Sequence, residues 1–220
     1  MQYISISKEI KAKCPNLVLG CLSMAVEWQA TVASLQETIQ QTCDQLQQNL
    51  ATSEISQLAA IAASRTGYKA LGKDPSRYRL SAEALLRRVV KGKGLYQINN
   101  IVDTLNLVSI QTGYSIGGYD ADKIEGNVVL GIGEEGEPYE GIGRGVLNIT
   151  NLPVFRDEQG AFGTPTSDST RTMVTDSTRN FLMIFLDFGK QENFQTMLEE
   201  TAQLYEEYTA AKAIEIRIVE

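Results

Sequence analysis

The sequence contains no histidine, and only three cysteines, one tryptophan and five prolines among 220 residues. Without an imidazole, the Ser-His-Asp and Cys-His mechanisms of hydrolases are excluded. Cys14, Cys21 and Cys43 form no CxxC pair, and a structural zinc site would lack its usual ligands. We therefore expect no metal and no other cofactor, and we expect reduced cysteines in the core of a cytoplasmic protein.

Long apolar runs are also missing. The apolar run over 17–26 follows three lysines, as in a signal peptide, but Glu9, Pro15 and Asn16 interrupt that pattern. The run is too short to cross a bilayer. It predicts a buried strand, and we expect no membrane partner.

Charge is unevenly distributed along the chain. The net charge is −7, yet the segment from Arg65 to Lys93 holds nine basic and two acidic residues, or +7, which leaves −14 for the rest. A local binding site for a polyanion on an acidic protein has this pattern. A solvated helix face has it too, and the sequence leaves both interpretations open. The candidate residues for binding such a polyanion are Arg77, Arg79, Arg87, Arg88, Lys91 and Lys93.

Hydrophobic periodicity predicts both helices and strands. Strands are predicted near 3–7, 17–26, 127–132, 146–150, 181–188 and 214–218, and helices near 32–50, 58–65, 81–91, 99–110 and 194–212. Ser81 is predicted to cap its helix, with Glu83 in the first turn and with Arg87, Arg88 and Lys91 off the apolar stripe. The pattern indicates one α+β domain over residues 1–220, with mixed β-sheets flanked by helices.

A loop rich in hydroxyl groups runs from Gly163 to Asn180 and leads into the apolar run over 181–186. Such a loop is held rigid at one end by a buried strand, and rigid loops often carry functional sites. Hydroxyl and amide groups can orient a water or stabilise an oxyanion without an imidazole. The same residue types also satisfy the backbone of ordered turns, so that alternative stays open.

Three motifs in order carry a resemblance to a known family. They are Asn99-Asn100-x-Val102-Asp103-x-x-Asn106, then Gly113 with Tyr119 and Asp120, then Asp176-x-Thr178-x-Asn180. Over residues 77–189 the chain resembles the tRNA-binding B3/B4 domain of the phenylalanyl-tRNA synthetase β subunit, and particularly its free-standing relatives. The resemblance implies three layers, in which a β-sandwich of unusual topology is flanked by helices. It also implies a pocket that hydrolyses mischarged aminoacyl-tRNA in trans.

The resemblance assigns residues to that pocket. Asp168 would orient the attacking water, with Ser167, Ser169 and Thr170 as the other catalytic candidates. The substrate-binding candidates are Asn106, Gly117, Gly118, Thr164, Arg171 and Thr172, with Arg171 meeting a phosphate. Gly117 and Thr170 stand where the family has its pocket histidine and glutamate.

Because both of these family side chains are missing, two alternatives to hydrolysis stay open. One is a non-catalytic RNA-binding module, and the other is a pocket for a free amino acid. If Asp168 has an ordinary pKa of about 4, hydrolysis should fall only at acid pH and show no inflection near 6.5.

Overall fold

The computed structural model describes residues 2–220, which form six α-helices and ten β-strands. The helices are α1 (Lys8–Lys13), α2 (Ala33–Asn49), α3 (Ala59–Ala70), α4 (Ser81–Val90), α5 (Asn100–Thr112) and α6 (Phe194–Thr209). The strands are β1 (Ile4–Ile6), β2 (Val18–Ala25), β3 (Ile116–Asp120), β4 (Val128–Ile132), β5 (Glu140–Gly141), β6 (Gly145–Val146), β7 (Pro153–Asp157), β8 (Gly160–Gly163), β9 (Asn180–Asp187) and β10 (Lys212–Val219).

Two four-stranded sheets form a sandwich, and helices α5 and α6 cover the outer face of one of them. The first sheet has the order β1-β4-β7-β8 and is mixed, because β1 pairs with β4 in parallel. The second sheet has the order β10-β2-β9-β3 and is antiparallel. The predicted α+β architecture of mixed sheets flanked by helices is therefore confirmed.

Strand β9 is apolar from Phe181 to Leu186 because both of its faces are covered. Its even-numbered residues, including Leu182 and Ile184, pack in the core between the two sheets. Its odd-numbered residues, including Phe181 and Met183, pack with residues of α5 and α6 such as Ile101 and Leu198. A strand covered on both faces loses the usual alternation of apolar and polar residues. This strand fixes the end of the hydroxyl-rich loop.

Some elements differ from the sequence predictions. The three N-terminal lysines belong to α1, which Ser7 caps by accepting a hydrogen bond from the Ile10 N–H. Of the strand predicted at 146–150, only Val146 lies in a strand, the two-residue β6. Strands β3, β5, β7 and β8 were not predicted. Proline at the start of β7 is a poor strand signal.

Ser81 is the first residue of α4, not its cap. Leu80 occupies the N-cap position and makes no side-chain capping bond. The helix start is held by the Ser81 N–H, which donates to the Pro165 carbonyl at 2.8 Å. The Ser81 hydroxyl is consequently left without a role in capping.

Candidate functional site

A cavity of about 300 Å³ lies between α4, α5, β3 and the loops at 142 and 168–174. Most of its wall is apolar. The apolar lining residues are Leu85, Ile98, Val102, Leu105, Ile116, Ile142, Met173, Val174 and Phe181, and the polar ones are Ser81, Asn106, Ser109 and Asp168. Asn106 and Asp168, expected in one pocket from the resemblance, do line the same cavity.

Among residues 2–220, Asp168 is the only ionisable residue that lines this cavity. Its Oδ2 accepts a hydrogen bond from the Gly118 N–H at 3.2 Å. Its Oδ1 is inaccessible to solvent and has no hydrogen-bond partner among residues 2–220. Burial raises the pKa of Asp168 to about 7, although the Gly118 N–H and the Tyr119 phenol oppose this shift. The carboxyl therefore titrates near neutral pH, not near 4 as an exposed aspartate would.

The Tyr119 phenol lies beside this carboxyl and fills the space left by two glycines. A Cβ at either Gly117 or Gly163 would collide with the Tyr119 hydroxyl. The ring is fully buried, and burial together with the Asp168 charge raises the pKa of Tyr119 well above its ordinary value. The phenol thus stays neutral. Gly117, which stands where the family has a histidine, is required here by the position of this ring.

A groove of about 510 Å³ adjoins the cavity. Of the residues that the structure describes, no acidic one lines the groove and five basic ones do: Arg87, Arg88, Lys91, Lys93 and Arg144. Ser81, Leu85 and Asn106 line both the groove and the cavity, so the two spaces are neighbours. We call them the cavity and the basic groove below.

Ser81 and Asn106 stand where the cavity meets the basic groove. Neither side chain forms a hydrogen bond with another described residue, whereas most polar side chains nearby do. Each is half-buried. A hydroxyl and an amide are therefore available at this junction to donate hydrogen bonds to a ligand.

The basic residues of the charged segment have different environments. Lys91 and Lys93 are exposed. Arg87, predicted to lie off the apolar stripe, forms an ion pair with the buried carboxylate of Glu83 at 2.9 Å. That carboxylate also pairs with Arg65 at 2.8 Å, because a buried charge needs compensation. Arg77 and Arg79 do not line the groove.

Arg171 is not at the cavity, in contrast to its assignment as a substrate-binding residue. Its guanidinium donates to both oxygens of Asp157, at 2.8 and 3.0 Å. Together with Ser169 and Thr170 it lines a separate depression beside the segment 137–140. The Ser169 hydroxyl accepts from the Arg171 N–H. The structure therefore separates these three candidates from Asp168.

The other candidates in the loop shape it or border the groove. Thr164 closes a tight turn, since its hydroxyl accepts from the N–H groups of Thr166 and Ser167. Thr172 is fully buried, and its hydroxyl has no partner among residues 2–220. Ser167 lines the basic groove. Gly118 lines the cavity and supplies the N–H that holds Asp168.

Most residues of the three resemblance motifs hold the fold together. Asn99 caps α5 by accepting from the Val102 N–H. The Asp103 carboxylate accepts from the Thr31 hydroxyl and the Ile98 N–H, and Asp120 accepts from the Thr178 hydroxyl at 2.8 Å. Of the first motif, only Asn106 and the apolar Val102 line the cavity, where they can contact a ligand.

Several lining residues were missed by the sequence analysis. Ile142 and Arg144 lie on the β5–β6 hairpin, which is joined to the loop where the Ile142 N–H donates to the Asp168 carbonyl at 2.9 Å. Tyr96 lines the basic groove and was not considered. In the sequence, only its position between Lys93 and the first motif indicated that Tyr96 lies near the groove.

Residues 2–220 contain no helix long and apolar enough to cross a membrane. In the same residues, no cluster of acidic and cysteine side chains has the arrangement of a metal site.

The fold is that of an α+β sandwich protein with a cavity and a basic groove beside its helices. The model of the B3/4 domain family matches residues 63–209, well over half of the chain. The protein therefore belongs to the B3/4 domain family, and the resemblance drawn from the motifs is confirmed.

The chain is also similar to parts of two phenylalanyl-tRNA synthetase beta subunits. The chain is 38% identical over 68 residues to a phenylalanine–tRNA ligase beta subunit of Bartonella henselae, a match that covers 30% of this chain and 8% of that protein. It is also similar to a crystal structure of an N-terminal fragment of the phenylalanyl-tRNA synthetase beta-subunit from Pyrococcus horikoshii, with 13% identity and a TM-score of 0.47. That similarity covers 99% of this chain and 50% of the fragment. The chain thus spans only a small part of the curated ligase subunit.

Proposed function

We propose that this protein binds the 3′ end of aminoacylated tRNA and hydrolyses its ester bond in trans. The observation that carries the proposal is the apolar cavity with one buried, unpartnered carboxyl oxygen, opening beside a groove lined only by basic charges. An aminoacyl-tRNA has the matching chemistry, because a compact acyl group is joined to a polyanion. Membership of the B3/4 family supports the same ligand class.

The cavity favours an acyl group with a large apolar side chain. An apolar cavity of roughly 150 Å³ is enough to hold benzene, and this cavity is about 300 Å³. Its walls offer no cation to pair with an acidic side chain. We therefore expect aromatic and large aliphatic amino acids to bind, and acidic ones to be rejected.

Hydrolysis would begin with Asp168 in its ionised form. The carboxylate accepts a proton from water as the water oxygen attacks the ester carbonyl carbon. The Asn106 amide and the Ser81 hydroxyl, both free at the junction, donate to the developing oxyanion. The ester C–O bond then breaks, and Asp168 returns the proton to the ribose oxygen. The products are the free amino acid and a tRNA with a free hydroxyl.

The pKa of Asp168, raised to about 7 by burial, suits a general base near neutral pH. The Gly118 N–H holds the carboxyl in place through Oδ2. The Asp168 carboxyl, which lines the cavity, is the proposed proton acceptor.

The test is a panel of tRNAs charged with apolar, polar and acidic amino acids, in which loss of the amino acid is followed over time. We expect hydrolysis well above the buffer rate for large apolar amino acids and little for acidic ones. If tRNA binds but no charged tRNA is hydrolysed faster than in buffer, the protein is a non-catalytic RNA-binding module. Binding of free amino acids without any binding of tRNA would instead favour an amino-acid pocket.

A further inference from the structure

Tyr96 is an exposed aromatic residue inside the basic groove. Its side chain is 59% exposed, although large aromatic residues are usually well buried. It lies in the segment between α4 and α5, where glycines precede it at positions 92 and 94. Its exposure therefore needs an explanation.

The ring is held in place by Arg88. The guanidinium carbon of Arg88 lies 3.8 Å from the centre of the Tyr96 ring, the geometry of a cation–π contact. The Arg88 Nε is buried and has no hydrogen-bond partner among residues 2–220. Arg88 thus gives up a hydrogen bond and stays stacked on the ring, which orients an exposed aromatic surface.

The surroundings of the ring match single-stranded nucleic acid. Lys91, Lys93 and Arg144 line the same groove, and no acidic residue does. Proteins that bind unpaired strands combine a basic groove with aromatic rings on which bases stack. The groove also adjoins the cavity through Ser81 and Asn106.

We infer that the Tyr96 ring is a stacking platform for an unpaired nucleobase at the 3′ end of the RNA ligand, with Arg88 as its positioning residue. The inference rests on the proposed function for the identity of the ligand. Lys91, Lys93 and Arg144 contact the adjoining phosphates. Stacking tolerates any base, so the platform selects an unpaired end and not a sequence.

The probe for this inference is a short single-stranded RNA with 2-aminopurine as its 3′-terminal base and no amino acid attached. Stacking on the ring should quench the fluorescence of 2-aminopurine when the wild-type protein is added. Tyr96→Phe should bind and quench like the wild type. Tyr96→Ala should lose the quenching and bind the probe roughly ten- to a hundredfold more weakly.

Two controls separate stacking from other effects. Tyr3→Ala removes another exposed tyrosine, 65% exposed, outside the groove, and should change nothing. A probe with an abasic 3′ end should bind the wild type as weakly as the normal probe binds Tyr96→Ala. The inference would be overturned if Tyr96→Ala quenched the probe as strongly as the wild type does. It would also be overturned if the wild type bound the abasic probe, or an RNA whose 3′ end is fully base-paired, as tightly as the normal probe.

The two proposals fail in different ways. If the probe stacks on Tyr96 but no charged tRNA is hydrolysed, the platform stands and the hydrolase is wrong. If charged tRNA is hydrolysed and Tyr96→Ala binds the probe normally, the platform is wrong and the hydrolase stands.

Discussion

The cavity and the basic groove are neighbours with opposite chemistry. The cavity is mostly apolar and contains one carboxyl, whereas the groove is open, holds five basic residues and lacks acidic ones. A ligand that fills both must have one compact, largely apolar end and one polyanionic end. Under the proposed function, recognition and chemistry are divided between the two regions: the groove would supply long-range attraction, and the cavity would supply selection and the reacting group.

The variant Asp168→Asn is expected to separate the effect of the cavity on hydrolysis from the effect of the groove on tRNA affinity most clearly. The change removes the proposed base and keeps the size of the side chain, so hydrolysis should fall by about 10² or more, as is usual for general acid–base groups. Affinity for tRNA should stay the same because Asp168 does not line the groove. Single-turnover hydrolysis and a binding titration measure the two effects, and a loss of both together would contradict the division.

The pH dependence of hydrolysis sharpens the assignment of Asp168. Because burial raises the pKa of this carboxyl to about 7, the ionised base is lost below that pH. After subtraction of the buffer rate, hydrolysis should fall about tenfold per pH unit below about 7 and level off above it. Asp168→Asn should lack this inflection. An inflection near 4 in the wild type would show that the reacting carboxyl is an exposed one.

The groove is tested by reversing the charges of Lys91 and Lys93 to glutamate. Both are exposed and unpaired among the described residues, so the fold should survive, whereas Arg87→Glu would set a second carboxylate beside buried Glu83. Affinity for tRNA should fall about tenfold or more, and its dependence on salt should become less steep.

The matched control for this double reversal is Lys8→Glu with Lys13→Glu, which changes the net charge equally on exposed residues of α1. If the control weakens tRNA binding as much as the groove variant does, the attraction comes from overall charge and not from the groove.

The smallest effect is expected on stability. The folded state holds the Asp168 proton more tightly than the unfolded state, whose carboxyl has the ordinary pKa near 4. The free energy of unfolding should therefore decrease as pH rises from about 4 to about 7. Asp168→Asn has no buried carboxyl to ionise, so at pH 8 it should be more stable than the wild type by on the order of 1 kcal/mol. At pH 4 it should not be more stable than the wild type. Thermal unfolding at the two pH values checks this, and an equal difference at both would refute the buried titration.

The fold was more predictable than the site, and the reason lies in what the motif residues do. Several motif residues make hydrogen bonds that only their residue types can make in this fold, namely Asn99, Asp103, Asp120 and Thr178. These residues therefore revealed the fold family. Periodicity also located β9 and the long helices. The β7–β8 hairpin escaped because its first strand starts with proline.

The site depended on contacts between distant segments. The loop 163–172 drew attention through its hydroxyl groups, yet those of Thr164, Ser167 and Ser169 bond to backbone groups within the loop. Arg171 is held by Asp157, a pairing that only the β7–β8 turn makes possible. Tyr96 lies between α4 and α5, and Ile142 and Arg144 lie on the β5–β6 hairpin, two segments that the fold brings to one place. Asp168 was found because it is the loop's only carboxyl before Asp176, but its burial was not predictable.

The central claim is that one ligand occupies the cavity and the groove together. It is tested most directly with a short 3′ RNA carrying phenylalanine through a stable amide, compared with the same RNA without phenylalanine. Two variants are measured beside the wild type. Val102→Trp fills the cavity, and Val129→Trp places the same bulk at an exposed position of β4. The wild type and Val129→Trp should bind the phenylalanyl RNA at least about tenfold more tightly than the bare RNA, and Val102→Trp should bind both equally. Equal affinity of the wild type for both RNAs, or an undiminished preference in Val102→Trp, would contradict the account.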